Sequence, residues 1–236
     1  MESINNHRKI ALQLSGGKDS VACLYLLKEH LDKITVYHLN TGDQPRETSE
    51  IIAKCREIIP NYVEVKTDSI KWIKEHGYPS DVVPTNSSIL GRMMGFGTLH
   101  LSDRFDCCYS NLMNPMQERM KEDGITLIIR GQKNCDMPKV PFISGTIYDG
   151  VEYLYPIQEW SHDDVYKYLK EADAPIHPVY DKINDGIECI HCTGWWHSKH
   201  LDWLNDTYPD AAKFVKIKHI EIKIAVAEQM QHLNEV

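Results

Sequence analysis

The chain has 236 residues, which is enough to bury a core, and its 42% hydrophobic and 25% charged residues are typical of a globular domain. A net charge of −8 at pH 7 argues against broad binding to a nucleic-acid backbone, so a nucleic-acid acceptor would need focused contacts. No apolar run reaches the length of a membrane span and the first residues lack the apolar core of a signal peptide, so we expect a cytoplasmic protein without membrane contact.

Strand-like and helix-like segments alternate through the first third of the chain. The pattern predicts strands at 9–14, 34–39 and 62–65, separated by helices at 19–31 and from about Pro45 onwards. This alternation predicts an α/β fold with a Rossmann-like, open, mainly parallel twisted sheet and helices on both of its faces.

The second half of the chain is less regular. Residues 77–105 are rich in glycine and proline and are predicted to form a loop with short helical pieces. The pattern then predicts a helix around 115–121, strands at 125–129 and 152–155, and a helix capped within 161–164.

A helical pattern runs from about residue 198 to the end. We therefore divide the chain into a main domain, 1–196, and a helical C-terminal extension, 197–236. The residues expected to supply the apolar contacts of the extension are Ile217, Ile220, Ile224 and Val226.

Residues 14–20, of sequence L-S-G-G-K-D-S, join the first predicted strand to the first predicted helix. Two glycines let the backbone approach an anion at the helix N-terminus, where N–H groups and the helix dipole favour negative charge. Ser15, Lys18 and Ser20 add hydroxyl and ammonium donors, so the segment is predicted to hold a phosphate group. A tight turn with a serine or aspartate cap is the alternative. The segment is not a Walker loop, because Leu12 and Asp19 stand where that motif needs Gly and Ser or Thr.

Four of the seven cysteines form two close pairs. Cys107 and Cys108 are adjacent, and Cys189 and Cys192 form a C-x-x-C pair that can hold two thiolates on one metal. Adjacent cysteines fit one tetrahedral zinc ion poorly, because their side chains diverge, and they suit a 4Fe-4S cluster better. A structural zinc ion and independent core cysteines remain as alternatives. Two other cysteines, Cys23 and Cys55, lie on apolar helix faces and are predicted to be core residues.

The S-G-G-K-D-S segment resembles the PP-loop of the adenine nucleotide alpha-hydrolase superfamily, which includes ATP pyrophosphatases, tRNA thiolases and the reductases of adenosine 5′-phosphosulfate (APS) and its 3′-phospho form (PAPS). The cysteine spacing narrows the resemblance to the APS/PAPS reductase family of the 4Fe-4S type, over roughly residues 9–196. Further matching segments are T-G-D-Q-P-R-E-T at 41–48, C-C with N-P-M within 107–116, P-I-Q-E-W-S-H-D-D-V at 156–165, P-I-H-P-V-Y-D at 175–181 and G-I-E-C-I-H-C-T at 186–193.

This resemblance implies a set of site residues. Lys18 and Asp19 are candidate catalytic residues, while Arg130 and Lys133 would contact the substrate anion. The residues implied to bind an adenine nucleotide (ATP, APS or PAPS) are Ser15, Gly16, Gly17, Lys18, Asp19, Ser20, Thr41 and Gly42. The residues implied to hold a 4Fe-4S cluster are Cys107, Cys108, Cys189 and Cys192. Mg²⁺ is a further candidate cofactor.

The chain departs from the family pattern at two places. The reductases carry a catalytic cysteine in a C-terminal tail, whereas residues 220–236 contain no cysteine. No other side chain there can replace it, because an S-sulfo intermediate needs a thiolate. The second departure is Cys135, which stands where the family usually has serine and is a candidate nucleophile or sulfur carrier; a loop thiol without chemistry is the alternative.

Three functions follow from this resemblance. The first is reduction of a sulfonucleotide to sulfite by Cys135 or a partner thiol, and the second is ATP-dependent thiolation of a nucleic acid or small molecule through an adenylated acceptor. The third is a catalytically silent nucleotide-binding or redox-sensing subunit. The implied partners are a small-molecule adenine nucleotide and a thioredoxin-like or cysteine desulfurase-like thiol or sulfur donor, and the chain is compatible with a homo-oligomer.

Overall fold

The computed structural model describes residues 2–136, 142–184, 186–194 and 198–235. The α-helices of this part of the chain are α1 (Glu2–Asn6), α2 (Lys18–Leu26), α3 (Arg46–Arg56), α4 (Ser69–His76), α5 (Ile89–Met93), α6 (Arg104–Cys108), α7 (Asn114–Glu122), α8 (His162–Glu171), α9 (Ser198–Thr207) and α10 (Pro209–Asn234). The strands are β1 (Ile10–Gln13), β2 (Ile34–Asn40), β3 (Tyr62–Lys66), β4 (Tyr78–Ser80), β5 (Leu101–Asp103), β6 (Leu127–Ile129), β7 (Thr146–Tyr148) and β8 (Val151–Leu154).

The chain divides into two compact units. The first unit comprises Met1–Asn40, Arg46–Lys66 and Pro115–Tyr180, and the second comprises Thr41–Pro45, Thr67–Asn114 and Asp181–Val236. The domain boundary predicted between 196 and 197 lies outside the described residues and stays a prediction.

The first unit is built on a sheet of strand order β3-β2-β1-β6-β8-β7. Every neighbouring pair in it is parallel except β7 and β8, so the predicted mainly parallel sheet is confirmed. β7 was not predicted. It forms a hairpin with β8 through Asp149 and Gly150, whose φ angles of 49° and 77° suit a two-residue hairpin turn, and the Asp-Gly pair is the signal that could have revealed it.

Helices cover both faces of this sheet, as predicted. On one face, Ile10 and Leu12 of β1 belong to the core cluster that contains residues of α2, α3 and α8. On the other face, Ala11 clusters with Met116 and Met120 of α7. The alternation arises because successive strand residues point to opposite faces of a sheet.

Cysteines and a helix cap of the first unit confirm two further predictions. Cys23 and Cys55 are fully buried in the core cluster. α8 begins after Ser161, whose hydroxyl accepts a hydrogen bond from the Asp164 N–H while the Asp164 carboxylate accepts one from the Ser161 N–H. This capping box satisfies two N–H groups that a helix end otherwise leaves free.

The order of the strands places two loops side by side. From β1 the chain proceeds to β2 and β3 on one side of the sheet, and later to β6 and β8 on the other. β1 and its parallel neighbour β6 therefore end at the same edge, where residues 14–17 follow β1 and Arg130 follows β6. In open α/β sheets such a reversal of strand order is where ligands bind.

The second unit contains a small parallel pair of strands, β4 and β5, inside the region predicted as loop. Each strand has three residues, which is too short to show a periodic pattern, so the prediction of loop with helical pieces holds for α5 but missed the strands. α4 was also missed, although Asp68 caps it by accepting a hydrogen bond from the Lys71 N–H at 2.8 Å.

α10 confirms the predicted C-terminal helix but buries other residues than expected. Ile217, Ile220 and Ile224 are 45%, 58% and 55% exposed, so the prediction that they supply its packing contacts is wrong. The residues buried along this helix are Ala211, Ala212, Val215 and Ile222. Among the described helices, none is long and apolar enough to cross a membrane.

Candidate active site in the first unit and cysteine group in the second

The predicted phosphate-binding segment is a strand, a glycine loop and a helix in the expected order. Gly16 has a φ of +85°, a conformation that a β-carbon disfavours, and Gly17 is the N-cap of α2. The Ser20 hydroxyl donates to the Gly17 carbonyl at 2.9 Å, and the Ser15 N–H donates to the Ser20 oxygen at 3.2 Å. These bonds fix the loop so that Lys18, Asp19 and Ser20 form the first turn of α2, where backbone N–H groups favour an anion.

Tyr180 closes one side of this loop. Its phenol oxygen accepts a hydrogen bond from the Lys18 N–H at 3.3 Å, and the Lys18 ammonium lies 4.8 Å from the centroid of its ring. A β-carbon at Gly17 would approach the same phenol oxygen to 3.0 Å. The sequence places Tyr180 in the P-I-H-P-V-Y-D segment without a predicted role, and the structure places it against the glycine loop.

A chain of alternating charges joins α2 to the loop after β6. The Asp19 carboxylate lies 3.0 Å from the Lys18 ammonium and 2.6 Å from the Lys133 ammonium, which in turn lies 2.9 Å from the Asp136 carboxylate. Lys133 is 0% exposed. Burial by itself lowers the pKa of Lys133, but its hydrogen bonds to Asp19 and Asp136 outweigh burial and the pKa is raised. The predicted anion-binding Lys133 is thus a buried cation held between two carboxylates.

Arg130 is placed differently from Lys133. The backbone N–H of Arg130 donates to the Leu154 carbonyl at 3.0 Å. Among the described residues, no carboxylate lies within 4.0 Å of the Arg130 guanidinium. Burial lowers its pKa, and the nearby Tyr155 and Tyr153 partly offset this effect. A partly buried cation without a carboxylate partner is suited to hold the anion of a ligand.

Gly131 explains how the loop after β6 can pack on the glycine loop. A β-carbon at this position would lie 2.6 Å from the carbonyl carbon and oxygen of Asp19 and 2.7 Å from the Ser20 nitrogen. Only glycine allows this approach of two backbones. The exposed Cys135 belongs to the same loop, and its thiol donates to the Trp160 carbonyl at 3.5 Å.

His177 contacts Tyr180, with their ring centroids 6.2 Å apart. The Val179 N–H donates to its Nδ1 at 3.1 Å, so Nδ1 is unprotonated and the ring hydrogen lies on Nε2, which contacts the Thr48 hydroxyl at 3.2 Å. Burial lowers the pKa of His177, and the charge of Glu47 only partly opposes this. The folded protein therefore holds a neutral imidazole.

A loss of stability in mild acid is expected from this histidine. Because its pKa is lower in the folded than in the unfolded chain, the unfolded chain takes up the proton more readily, and stability is lost as pH falls through the ordinary histidine pKa of ~6.5. Urea unfolding at about pH 7.5 and about pH 5.5, on either side of that ordinary value, should show a larger decrease in unfolding free energy for the wild type than for His177→Gln. Equal decreases would contradict the assignment.

The four paired cysteines all lie in the second unit. Cys107 and Cys108 end α6, and Cys189 and Cys192 precede α9. Burial and then the nearby thiols of Cys108 and Cys192 raise the pKa of Cys107 to about 12. Burial is also the main reason that the pKa of Cys192 is raised to about 11, with Cys108 contributing. The pKa of Cys189 is raised by burial, and Cys192 adds to the shift. The four thiols are thus neighbours that repel one another as thiolates.

Four thiols match the ligand sets of two kinds of metal centre, a zinc ion and a 4Fe-4S cluster. Within the described chain, no three of the four sulfur atoms lie within 4.8 Å of one another. A tetrahedral zinc ion with ligand bonds of roughly 2.3 Å would hold its sulfur atoms roughly 3.8 Å apart. A 4Fe-4S cluster holds four thiolates on separate irons and therefore farther apart, and these four cysteines supply that donor set.

Residues 41–43 form part of the same unit as the cysteine group. The Cys189 thiol donates to the Thr41 hydroxyl at 3.5 Å, and Gly42 has a φ of +75°. Asp43 accepts hydrogen bonds from the His191 N–H at 3.0 Å and from its ring Nδ1 at 2.6 Å. The carboxylate raises the pKa of His191 and fixes the C-x-x-C turn. Nucleotide binding by Thr41 and Gly42 stays a prediction, and the role of Asp43 was missed.

A glycine loop at the end of a central parallel strand, with a lysine and an aspartate in the first helical turn, is the arrangement of the PP-loop superfamily. The chain belongs to the APS/PAPS reductase family, because the family model for the phosphoadenosine phosphosulfate reductase domain matches residues 9–195. The family consists of oxidoreductase enzymes of sulfur metabolism, as predicted from the sequence.

Individual relatives are distant. The chain is 25% identical over 211 residues to a phosphoadenosine 5′-phosphosulfate reductase of a Synechococcus strain, covering 89% of this chain and 82% of the relative. It is 21% identical over 213 residues to an adenosine 5′-phosphosulfate reductase of Burkholderia cepacia, covering 82% and 78%. A crystal structure of phosphoadenylyl-sulfate reductase from Candida auris in a phosphate complex matches with a TM-score of 0.54 at 14% identity, covering 76% and 80%, and shows the shared fold. The relatives' names divide between two nucleotides, so they do not select one for this chain.

Proposed function

We propose that this chain binds APS or PAPS and reduces it to sulfite and the corresponding adenosine phosphate. The observation that carries the proposal is the contact between the PP-loop and the loop after β6, where Gly131 meets Asp19 and Ser20. This contact brings Arg130, which has no carboxylate partner in the described part of the chain, into the same unit and the same edge of the sheet as the N-terminus of α2. Both features favour a ligand with more than one anionic group.

The proposed reaction consists of two thiol steps. A thiolate attacks the sulfonate sulfur, a sulfur–sulfur bond forms, the bond from that sulfur to the phosphate oxygen breaks, and the adenosine phosphate leaves. A second thiolate then attacks the sulfur atom that came from the first thiolate, and the two thiol sulfurs form a disulfide. Sulfite leaves with the electron pair of the broken sulfur–sulfur bond. The sulfonate gains two electrons, two thiols become one disulfide, and two protons are released.

The source of the first thiolate is the open question of this reaction. One source is the exposed Cys135, which lies in the loop that contacts the PP-loop, and the other is a thioredoxin-like partner. The Lys133 ammonium is shared by Asp19 and Asp136. We therefore assign Lys133 to positioning Asp19, and Arg130 to binding the substrate anion.

Cys107, Cys108, Cys189 and Cys192 are proposed to hold a 4Fe-4S cluster. When bound, the cluster supplies an iron–sulfur centre whose potential depends on charge and hydrogen bonds around its sulfur ligands. The hydroxyl of Thr41 beside Cys189 and the Asp43 carboxylate behind the C-x-x-C turn support this group by orienting the turn. Iron and sulfide analysis of anaerobically purified protein should find the cluster in the wild type and in Cys135→Ser, and should find it lost in Cys189→Ser. Colourless wild type that contains zinc instead of iron would contradict this assignment.

ATP-dependent thiolation is a second candidate, because the glycine loop at the N-terminus of α2 suits the phosphates of ATP equally well. In that reaction ATP adenylates an acceptor, pyrophosphate leaves, and sulfur displaces the adenylate. The PP-loop would then hold the phosphates of ATP.

One product assay separates the candidates. The anaerobically purified protein is incubated separately with ATP, APS and PAPS, each with a small dithiol or a thioredoxin-like reductant. Sulfite from APS or PAPS supports reduction, and pyrophosphate from ATP supports thiolation. Binding without either product supports a silent subunit and contradicts both reactions. Loss of sulfite in Cys135→Ala would identify the first thiolate as Cys135, whereas unchanged sulfite would assign it to the partner.

A further inference from the structure

Three different metal-ligand types converge at the surface of the first unit. The Cys135 sulfur, a carboxylate oxygen of Asp136 and a ring nitrogen of His162 all lie within 4.8 Å of one another. These residues come from the loop after β6 and from the first turn of α8. Within the described chain, no other set of three such ligands converges in this way.

We propose that Cys135, Asp136 and His162 form a binding site for a zinc ion, with a water molecule as the fourth ligand. A thiolate, an imidazole and a carboxylate are all ordinary zinc ligands, whereas Mg²⁺ and Ca²⁺ prefer oxygen ligands alone. A tetrahedral zinc ion needs these three atoms roughly 3.5 Å apart. The distances between these atoms must therefore shorten by at most roughly 1.3 Å, which lies within the reach of surface rotamers.

The surroundings hold two of the three ligands in place. One Asp136 oxygen accepts the Lys133 N–H at 2.8 Å and the other lies 2.9 Å from the Lys133 ammonium, and each retains a lone pair for a metal. His162 is the first residue of α8, whose backbone start is fixed by the capping box of Ser161 and Asp164. Neighbours of this kind raise metal affinity because they orient the ligands before the ion arrives.

The charge of the metal-bound site is compatible with its position at a helix end. A helix N-terminus disfavours a net positive charge, and His162 lies at the N-terminus of α8. A zinc ion with the thiolate of Cys135 and the carboxylate of Asp136 is neutral overall. The bound site as a whole therefore carries no net positive charge at this helix end.

The site is connected to the PP-loop by the charge chain described above. Asp136 contacts Lys133, and Lys133 contacts Asp19 in the first turn of α2. A zinc ion would share the Asp136 carboxylate with Lys133 and would bind the thiolate of Cys135, which would then no longer be free to attack a substrate. Zinc binding at this site does not depend on which nucleotide the chain uses.

Metal binding is tested without any enzymatic assay. Metal-free protein is dialysed against Zn²⁺ and its zinc content is measured, and Co²⁺ replaces Zn²⁺ to reveal a thiolate-to-metal absorption band. The variants are Cys135→Ser and His162→Gln, and the control is Asp163→Asn, which removes an exposed charge from the same helical turn. Carrying out the series also in a Cys189→Ser/Cys192→Ser background separates this site from the cysteine group of the second unit.

The wild type and Asp163→Asn should each hold one more zinc ion than Cys135→Ser. His162→Gln should bind zinc at least ~10-fold more weakly, and the cobalt–thiolate band should persist in the background variant and disappear when Cys135→Ser is added. Equal zinc contents in all variants, or a band that disappears in the background variant alone while its circular dichroism remains native, would overturn the proposal.

Discussion

Replacing Lys133 by methionine is expected to lower the free energy of unfolding by about 3–5 kcal/mol. The ammonium is 0% exposed and lies 2.6 Å from Asp19 and 2.9 Å from Asp136, whose side chains are only 23% and 22% exposed. Methionine fills a similar volume but leaves the mostly buried Asp136 carboxylate without its cation and Asp19 with Lys18 as its remaining partner. Removal of one member of a buried ion pair costs more than the pair contributed, because the remaining charge loses both its partner and its water.

The expected result is measured by urea unfolding of the wild type, Lys133→Met and a control, Lys54→Met. Lys54 is exposed on α3 and loses no buried partner, so its replacement should change stability by less than about 0.5 kcal/mol. If Lys133→Met were as stable as Lys54→Met, the buried charge chain would contribute nothing to the fold.

Gly131→Ala is expected to weaken nucleotide binding by at least ~10-fold and to lower stability by about 1–3 kcal/mol. The added β-carbon would lie 2.6 Å from the backbone of Asp19, so either the loop after β6 or the first turn of α2 must move. A backbone cannot yield as a flexible side chain does. The displacement would separate Arg130 from the N–H groups that we propose to bind the same ligand.

Calorimetric titration with APS, PAPS and ATP measures this effect. Gly124→Ala is the matched control, because a β-carbon there meets no atom within 4 Å while the φ of +71° still makes alanine unfavourable. The control should lose a comparable amount of stability, of order 1 kcal/mol, and retain its nucleotide affinity. Equal affinities in both variants would show that the contact at Gly131 does not position the ligand site.

The fold could be predicted where patterns were long, and was missed where elements were short or where contacts joined distant segments. β1, β2 and α2 have clear apolar patterns around the glycine loop, and the structure confirms them. β4 and β5 have three residues each, which is too few for a local apolar pattern, and they form because they pair with each other. α10 was predicted as a helix, but which of its sides is buried depends on the residues packed against it, and Ile220 proved to be exposed.

The candidate site shows the same division. The residue types of the PP-loop and of the two cysteine pairs could be read from local chemistry. Lys133 looked from the sequence like a free cation, and only the fold reveals that Asp19 and Asp136 bury it between them. The approach of His162 to Cys135 joins residues 27 positions apart and has no local signature in the sequence.

The position of β1 between β2 and β6 has a consequence for how the protein fluctuates. Backbone hydrogen bonds of a strand with neighbours on both sides open only when much of the domain opens, so the amides of β1 should exchange with solvent among the slowest. The glycine loop follows this slowly opening strand directly. The first residues of the loop are therefore held in place before any ligand binds. Less conformational entropy is then lost when an anion binds.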